Sequence, residues 1–251
     1  MGKKILIILH QATSIAGRVG VLLRRRGFEL DIRRPVLGDV LPSTMENHAG
    51  AIIFGGPMSA YDDETIEGLK REVDWIAVPL KERAPFLGLC LGGQMLARHL
   101  GAEVYPHPDQ QAEIGYYPIK ATDAGVARFG PWPKCVYQWH RDGFEIPLGG
   151  RLLATGSGAF PNQAFDYNET AIGLQFHPEV TLAMTHRWTV KAEKRLVLPG
   201  ARPRGSHFAD RLKYDGAVES WLNRMLDNWL ASDQRESNTR QSVVHQSEKV
   251  A

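Results

Sequence analysis

The residues that most constrain the fold of this chain are 85–94, which read Pro-Phe-Leu-Gly-Leu-Cys-Leu-Gly-Gly-Gln. Residues 86–89 are a short apolar run typical of a buried strand, and a helical apolar pattern over residues 95–100 begins directly after two glycines. Cys90 is therefore predicted to lie on a sharp strand-to-helix turn, with its side chain exposed above the start of a helix. Glycines on both sides allow other backbone segments to approach this turn closely.

A cysteine on such a turn is a candidate nucleophile. Free N–H groups and the positive end of the helix dipole favour the thiolate over the thiol. Two other interpretations also fit the local pattern. Cys90 could be a buried, inert core cysteine, or the glycine-rich turn could bind phosphate without any cysteine chemistry.

Strand and helix patterns alternate in the first hundred residues. The strand patterns cover residues 4–9, 28–32, 51–54 and 86–89. The helix patterns cover residues 15–26, 66–76 and 95–100. This order predicts an α/β fold with a mainly parallel central sheet and helices on both faces.

Shorter strand patterns separated by turns follow this region. They cover residues 102–105, 114–119, 135–139, 152–155 and 171–176. We expect several of them to pair as an antiparallel extension of the sheet. Two further helices are predicted near residues 182–196 and 208–230.

The composition limits the classes of protein that this chain can belong to. Its 251 residues, 43% of them hydrophobic, can bury a full core, and 30 Lys and Arg against 28 Asp and Glu leave no overall electrostatic footprint for nucleic acid or membrane. Cys90 and Cys135 make no disulfide framework, and the apolar run at residues 5–9 is too short for a signal peptide or a membrane span. We expect a soluble, cytoplasmic protein with one domain over residues 1–231 and a disordered polar tail over residues 232–251.

A second candidate for catalysis is the segment Gly-Leu-Gln-Phe-His-Pro-Glu at residues 173–179. In an extended chain, residues two apart point to the same side, so His177 and Glu179 can lie together. A carboxylate beside an imidazole fixes its tautomer and orientation, which a general base acting on a cysteine requires. Taken alone, the His-Pro-Glu tripeptide also fits a surface turn.

A third candidate is Phe-Gly-Gly-Pro at residues 54–57, which ends the third predicted strand. Backbone N–H groups freed at such a turn can line an oxyanion pocket. Taken alone, the same residues also fit an ordinary tight turn. The combination of the three motifs, in this order, is more informative than any one of them.

Together the three motifs resemble those of the class I, or triad, glutamine amidotransferases, and most of all stand-alone proteins similar to the amidotransferase domain of GMP synthetase. The resemblance implies a flavodoxin-like fold and a reaction in which Cys90 attacks the side-chain amide of glutamine. It implies that His177 is the base and that Glu179 orients His177. It also implies that the backbone N–H groups of Gly56 and Leu91 bind the oxyanion, and that no metal or organic cofactor is needed.

The same resemblance, which covers roughly residues 4–180, implies the residues that surround the glutamine. They are Gly55, Gln94, Glu113, His140 and Asp142. GMP synthetases tend to have Ser-His-Gly-Asp where this chain has Trp-His-Arg-Asp at residues 139–142. The serine contact is therefore lost, and we expect the bulkier, charged loop to alter the choice of substrate more than the chemistry.

The fate of the ammonia separates the functional hypotheses. Residues 181–251 contain no G-x-x-x-x-G-K-[ST] phosphate loop, so no acceptor site is visible after the third motif. The chain is then either a glutaminase-type amidotransferase, which supplies a separate synthase subunit, or a hydrolase of another γ-glutamyl compound such as a γ-glutamyl peptide. A non-catalytic binding or regulatory module on the same fold is a third hypothesis, and an intact Cys-His-Glu set argues against it.

Basic residues are concentrated in residues 181–213, where eight Lys and Arg stand against two acidic residues. The simpler interpretation is a solvated helix face followed by a surface loop. The alternative is a basic surface near the mouth of the site, which steers an anionic donor or an acidic partner. Arg202 and Arg204 are predicted to contribute in that case.

Overall fold

The computed structural model describes residues 3–233 and centres on a nine-stranded sheet. The strands of the protein are β1 (Lys4–Ile8), β2 (Glu29–Arg33), β3 (His48–Ile53), β4 (Phe86–Leu89), β5 (Val104–Pro106), β6 (Glu113–Ala121), β7 (Cys135–His140), β8 (Asp142–Phe144), β9 (Arg151–Gly156), β10 (Asn162–Tyr167) and β11 (Ala171–Leu174). The sheet has the order β2-β1-β3-β4-β11-β10-β9-β6-β7, and β5 pairs with β8 in a separate two-stranded sheet. Pairing is parallel from β2 to β11 and antiparallel from β11 to β7. The predicted parallel sheet with an antiparallel extension is confirmed.

Helices cover both faces of the sheet, as predicted. They are α1 (Gly17–Arg25), α2 (Glu67–Trp75), α3 (Ala77–Lys81), α4 (Leu91–His99), α5 (Asp123–Phe129), α6 (Leu182–Lys191) and α7 (Arg204–Ala231), with short 3-10 segments at Pro35–Leu37, Ala60–Glu64 and Glu193–Val197. Ile5 and Ile7 of β1 contact the core under α1 and α7, whereas Leu6 and Ile8 contact the core under α2 and α4. Successive side chains of a strand point to opposite faces, so a continuously apolar strand serves both cores.

The helix after Cys90 begins earlier than its apolar pattern predicts. It starts at Leu91, so Gly92 and Gly93 lie in its first turn and not before it. A Cβ on Gly92 would lie 2.1 Å from the carbonyl oxygen of Ile53, and one on Gly93 would lie 2.7 Å from that of Leu174. The glycines therefore allow α4 to pack directly on the backbone of β3 and β11.

Three elements in the second half of the chain, β8, β10 and α5, were not predicted from the sequence. The interior of β10 is buried, yet its apolar pattern is interrupted by Gln163 and Asp166. The Gln163 side chain accepts a hydrogen bond from Gln138 and donates one to Glu113. Asp166 forms an ion pair with Arg151. Polar residues can be buried when their hydrogen bonds are satisfied. They then interrupt the apolar pattern by which a buried strand is predicted from the sequence.

The last described helix, α7, ends at Ala231, one residue beyond its predicted end. The tail predicted for residues 232–251 lies outside the described residues from residue 234 onward. Between residues 3 and 233, no helix is both long enough and apolar enough to cross a bilayer.

Candidate active site

The three sequence motifs come together because β3, β4 and β11 are neighbours in the parallel part of the sheet. Ile53 of β3 pairs with Gly88 of β4, and Leu174 of β11 pairs with Leu89. The strands therefore end at the same edge, where the chain continues into Gly55, Cys90 and His177 respectively. In open α/β sheets, the carboxyl edge of the strands is where ligands bind.

Cys90 lies on the predicted strand-to-helix turn, immediately before α4. Its backbone has φ 52° and ψ −106°, a conformation that L-residues rarely adopt and that costs about 1–3 kcal/mol. The backbone N–H donates to the Leu174 carbonyl at 2.7 Å, which fixes the turn against β11. The expectation of an exposed side chain is wrong, since Cys90 is only 5% exposed. Trp139 and Arg195 line the same small cavity as Cys90 and reduce its access to solvent.

His177 and Glu179 lie together as the residue spacing predicts. The Nδ1 atom of His177 is 2.8 Å from Oε1 of Glu179, and both side chains are buried. Burial opposes protonation of the ring, but interactions with the Glu179 carboxylate and the Cys90 side chain outweigh it and raise the pKa of His177 to about 10. Within residues 3–233, Nε2 of His177 makes no hydrogen bond of ordinary geometry, so this nitrogen is available to the thiol.

The backbone that carries His177 and Glu179 is held by α1 and α7. The N–H of Arg18 donates to the Glu179 carbonyl at 2.8 Å, and the Arg18 guanidinium reaches the Pro178 carbonyl. Arg211 donates to the Val180 carbonyl, and both arginines pair with Asp215. These contacts from α1 and α7 fix the main chain of the His-Pro-Glu segment.

The glycine turn after β3 lies against the same histidine. A Cβ on Gly55 would lie 2.7 Å from Cε1 of His177, so only glycine fits there. The Gly55 carbonyl is 3.2 Å from Nδ1 of His10, and Nε2 of His10 is 2.7 Å from a carboxylate oxygen of Glu72. The side chains of His10 and Glu72 are fully buried, so they form an internal support for the turn.

Two backbone N–H groups are free to meet an oxyanion near Cys90. Leu91 is the first residue of α4, where no intrahelical acceptor exists. Gly56 lies on the facing turn, and a Cβ on it would lie 2.8 Å from the Leu91 side chain. Along the described chain, neither N–H has a hydrogen-bond acceptor.

The residues expected around the substrate are divided between two cavities, and Gly55 lines the one that contains Glu179. Gln94, His140 and Asp142 line the cavity that contains Cys90. Gln94 donates to the backbone carbonyl of Asp142 at 2.9 Å, and Ser59 donates to Oδ2 of Asp142 at 2.6 Å. The other carboxylate oxygen, Oδ1 of Asp142, is buried and has no partner among residues 3–233.

Glu113 lies behind this cavity and does not line it. Its Oε2 atom is 3.2 Å from Nε2 of His140, and it accepts a hydrogen bond from Gln163. The structure therefore places the Glu113 carboxylate beside the ring of His140. A direct substrate contact is not available to Glu113 in this arrangement.

Two cavities meet at this site. The smaller, of about 20 Å³, contains Cys90 and Leu91, and it has room for about one water molecule. The larger, of about 300 Å³, contains His177 and Glu179. Both are bounded by Gly56, Pro57, Trp139 and Arg195.

Three basic residues of the segment 181–213 line the larger cavity. They are Arg187 and Lys191 of α6 and Arg195 of the following 3-10 segment. Neither Arg202 nor Arg204 is among the lining residues of the two cavities: Arg202 stacks on Tyr117, and Arg204 bonds to Thr189. The basic segment thus reaches the site, but not through the arginines named from the sequence.

Sequence reasoning missed the residues that support the site from behind. His10 lies two residues after the end of β1, at the same edge of the sheet as Cys90. That position was the available signal. No sequence pattern identifies Glu72, which lies on α2, or Gln175, whose Nε2 is 3.9 Å from the Cys90 sulfur. Throughout residues 3–233, no cluster of three or more His, Cys, Asp or Glu could hold a metal ion.

Comparison with known protein families matches residues 18–193 to the family described as glutamine amidotransferase class-I. The chain belongs to this family, as its motifs suggest. The glutamine amidotransferase-like protein YfeJ of Salmonella typhimurium is 30% identical over 183 residues, which are 70% of this chain and 75% of YfeJ.

Two further relatives agree with this assignment. The glutamine-hydrolyzing GMP synthase of Lacticaseibacillus rhamnosus is 32% identical over 134 residues, which are 52% of this chain but only 24% of the synthase. The crystal structure of a glutamine amidotransferase from Methylobacillus flagellatus has a TM-score of 0.85 and 25% identity to this chain, and the match covers 92% of this chain and 96% of the other. The similarity thus covers most of the length of the two amidotransferases and about a quarter of the length of the synthase.

Proposed function

We propose that the protein hydrolyses the γ-amide bond of glutamine through a thioester on Cys90. The observation that carries this proposal is the convergence of Cys90, His177 and the Gly55-Gly56 turn at the ends of three adjacent strands. Acyl transfer needs a nucleophile, a proton carrier and oxyanion donors within reach of one carbonyl group, and the three strand ends supply them. A binding module would not need the strained cysteine turn.

In the proposed reaction, the Cys90 thiolate attacks the γ-carbonyl carbon and forms a C–S bond. The carbonyl oxygen becomes an oxyanion and accepts hydrogen bonds from the N–H groups of Gly56 and Leu91. His177, as the imidazolium, donates its proton to the amide nitrogen while the C–N bond breaks, and ammonia leaves. Glu179 keeps the ring in position and stabilises its positive charge.

Water then hydrolyses the thioester. His177 takes one proton from the water, whose oxygen bonds to the carbonyl carbon, and the C–S bond breaks to restore the thiolate and imidazolium pair. The γ-carboxylic acid of the product gives its proton to the released ammonia. The cycle consumes one glutamine and one water, and it needs no external oxidant or reductant.

The glutamyl group is proposed to lie on the Cys90 side of the site. Oδ1 of Asp142 is a buried carboxylate oxygen without a protein partner, and the α-ammonium of a glutamyl group would satisfy it. Gln94 and His140 hold the backbone around Asp142 through hydrogen bonds to its carbonyl. The small cavity must widen to admit this group, which requires side chains at its mouth, such as Met58 or Arg141, to move.

The destination of the ammonia is a separate question. The name of the synthase relative describes an enzyme that hydrolyses glutamine and makes GMP, and this chain matches only about a quarter of that protein. A glutaminase of this kind could deliver ammonia to a separate synthase subunit. The alternative is that the protein hydrolyses another γ-glutamyl compound, and the size and charge of the larger cavity favour this alternative.

The test is glutamate release from glutamine by the purified full-length protein. We expect Cys90→Ala to abolish release and Cys135→Ala, the matched control, to retain it. An electrophilic glutamine analogue should alkylate Cys90 and spare Cys135. Equal labelling of both thiols, or binding of glutamine without glutamate release by the unmodified protein, would overturn the proposal and favour a binding module.

A further inference from the structure

The position of His177 defines where the leaving group must lie. In acyl transfer, the histidine that accepts protons also donates one to the leaving amine, so the leaving nitrogen must face the histidine. His177 lines the larger cavity, whereas Cys90, Leu91 and the residues proposed for the glutamyl group line the smaller one. The leaving amine therefore points toward the larger cavity.

The cavity is much larger than a molecule of ammonia. Ammonia is about as large as water, whose share of liquid volume is about 30 Å³. The cavity of about 300 Å³ reaches the lower end of the range that holds organic ligands. Trp139 and Trp188 form part of its wall, and Trp188 packs edge-on against the ring of His177 at 5.0 Å. The space beyond the scissile nitrogen can thus hold a further chemical group.

The charged residues in the cavity wall indicate the chemical class of the group that it can bind. Its lining includes the cationic Arg187, Lys191 and Arg195, and the one acidic residue in its wall, Glu179, is already paired with His177. Across residues 3–233, none of the three cations forms an ion pair with a carboxylate. Burial, together with the neighbouring charge of Arg141, lowers the pKa of the Arg195 guanidinium, so an anion beside it would relieve an unfavourable environment.

We propose that the larger cavity binds the amine part of a γ-glutamyl conjugate, and that this amine part carries a carboxylate. The preferred substrates are then γ-glutamyl amino acids or short γ-glutamyl peptides. The inference rests on the proposed function, because it uses the same nucleophile and the same proton donor. The conjugate's C–N bond breaks as the C–S bond forms, His177 protonates the leaving nitrogen, and the free amino acid departs in place of ammonia.

A matched pair of substrates tests the charge preference. γ-Glutamylglycine and γ-glutamylglycinamide have nearly the same size and differ by a carboxylate against a neutral amide. We expect kcat/KM for γ-glutamylglycine to exceed that for γ-glutamylglycinamide about tenfold at low ionic strength, and the ratio to shrink as salt screens the cations of the cavity, Lys191 most of all. γ-Glutamylglycine should also exceed glutamine in kcat/KM, since glutamine leaves the cavity empty.

A charge-reversal variant tests whether the cavity is the source of the preference for a carboxylate. Lys191 is exposed and lies in the cavity wall, and its ammonium group makes no hydrogen bond to the described part of the protein, so Lys191→Glu changes the charge with little effect on packing. We expect it to reduce the ratio of kcat/KM between the two substrates about fivefold. The control is Lys194→Glu, three residues further on, which is exposed and outside both cavities and should leave the ratio unchanged.

The outcomes separate this inference from the function on which it depends. If glutamine is hydrolysed through Cys90 but the two conjugates react equally, or neither reacts, the proposed function stands and the inference is wrong. If Lys191→Glu and Lys194→Glu alter the ratio alike, the cavity is not the source of the preference and the inference is also wrong. If no γ-glutamyl amide, glutamine included, yields glutamate, both fail together.

Discussion

The backbone N–H of Cys90 donates a 2.7 Å hydrogen bond to the carbonyl of Leu174, three residues before His177. This bond continues the parallel pairing of β4 and β11 beyond the last strand residues, so the turn that carries the cysteine and the segment that carries the histidine share one register. The glycines at the start of α4 pack against the carbonyl groups of Ile53 and Leu174, next to the same turn. The relative position of the two side chains is thus set by the backbone.

Gly92→Ala is expected to destabilise the fold and displace Cys90. Its methyl group would lie 2.1 Å from the Ile53 carbonyl oxygen, so α4 has to move away from the sheet. Such overpacking costs about 1–3 kcal/mol. Urea unfolding measures the loss, and Gly216→Ala is the control, because Gly216 lies in α7 with no atom near its missing Cβ. Equal stabilities of the two variants would contradict this account of α4 packing.

Glu179→Gln is expected to move the alkaline limb of the kcat/KM profile to lower pH. The raised pKa of His177, about 10, means that the imidazolium persists below that pH and is lost above it. Since the imidazolium is proposed to protonate the leaving nitrogen, activity should fall as pH rises through about 10. Glutamine at position 179 can still accept a hydrogen bond from Nδ1, but it removes the negative charge that favours the imidazolium. An unchanged limb in the variant would show that Glu179 acts by orientation alone.

Glu72→Ala is expected to lower kcat although Glu72 touches neither cavity. Both ring nitrogens of His10 face oxygen atoms, one of Glu72 and one of the Gly55 carbonyl. Removing the carboxylate leaves a buried imidazole nitrogen unpaired, at a cost of about 1–3 kcal/mol, and frees the ring that positions the Gly55-Gly56 turn.

A purely structural role for Glu72 predicts a different result. In that case urea stability falls while kcat of the remaining folded protein stays at its original value, and KM is also unaffected. If the turn is misplaced, kcat falls and KM changes little, because the oxyanion forms only in the transition state. Glu72→Gln, which can still hydrogen-bond to His10, should recover part of the kcat.

Much of the site was predictable because its residues follow strands whose patterns are clear. Residues 51–54 and 86–89 are continuously apolar, so the sequence indicates both buried strands and, with them, the position of the Gly-Gly-Pro and Cys90 turns. Parallel strands then bring their carboxyl ends to one edge. The His-Pro-Glu segment was found by the same logic, since it follows the strand pattern at residues 171–176.

The features that escaped prediction depend on contacts between distant parts of the chain. His10 lies 62 positions from Glu72, and only the folded structure brings their side chains together. The charge of the basic segment is evident in the sequence, but which of its residues reach the site is not. Arg187 and Lys191 do so because they lie on the face of α6 that is turned toward the cavity. Arg202 instead stacks on Tyr117, in the loop before α7.

Asp142→Asn is expected to raise KM for glutamine about tenfold with a smaller effect on kcat. Oδ2 of Asp142 accepts a hydrogen bond from Ser59, which leaves the buried Oδ1 for the proposed contact with the α-ammonium of the substrate. A hydrogen bond between charged groups contributes about 1.5–3 kcal/mol, and asparagine keeps the shape of the side chain while it removes the charge. The α-ammonium lies far from the reacting bond and binds alike in the ground and transition states, so its loss appears in KM. Glu145→Gln, an exposed carboxylate just beyond β8, is the control and should leave KM unchanged. An unchanged KM in folded Asp142→Asn, or a fall in kcat alone, would place the α-ammonium elsewhere and assign Asp142 only to the support of its loop.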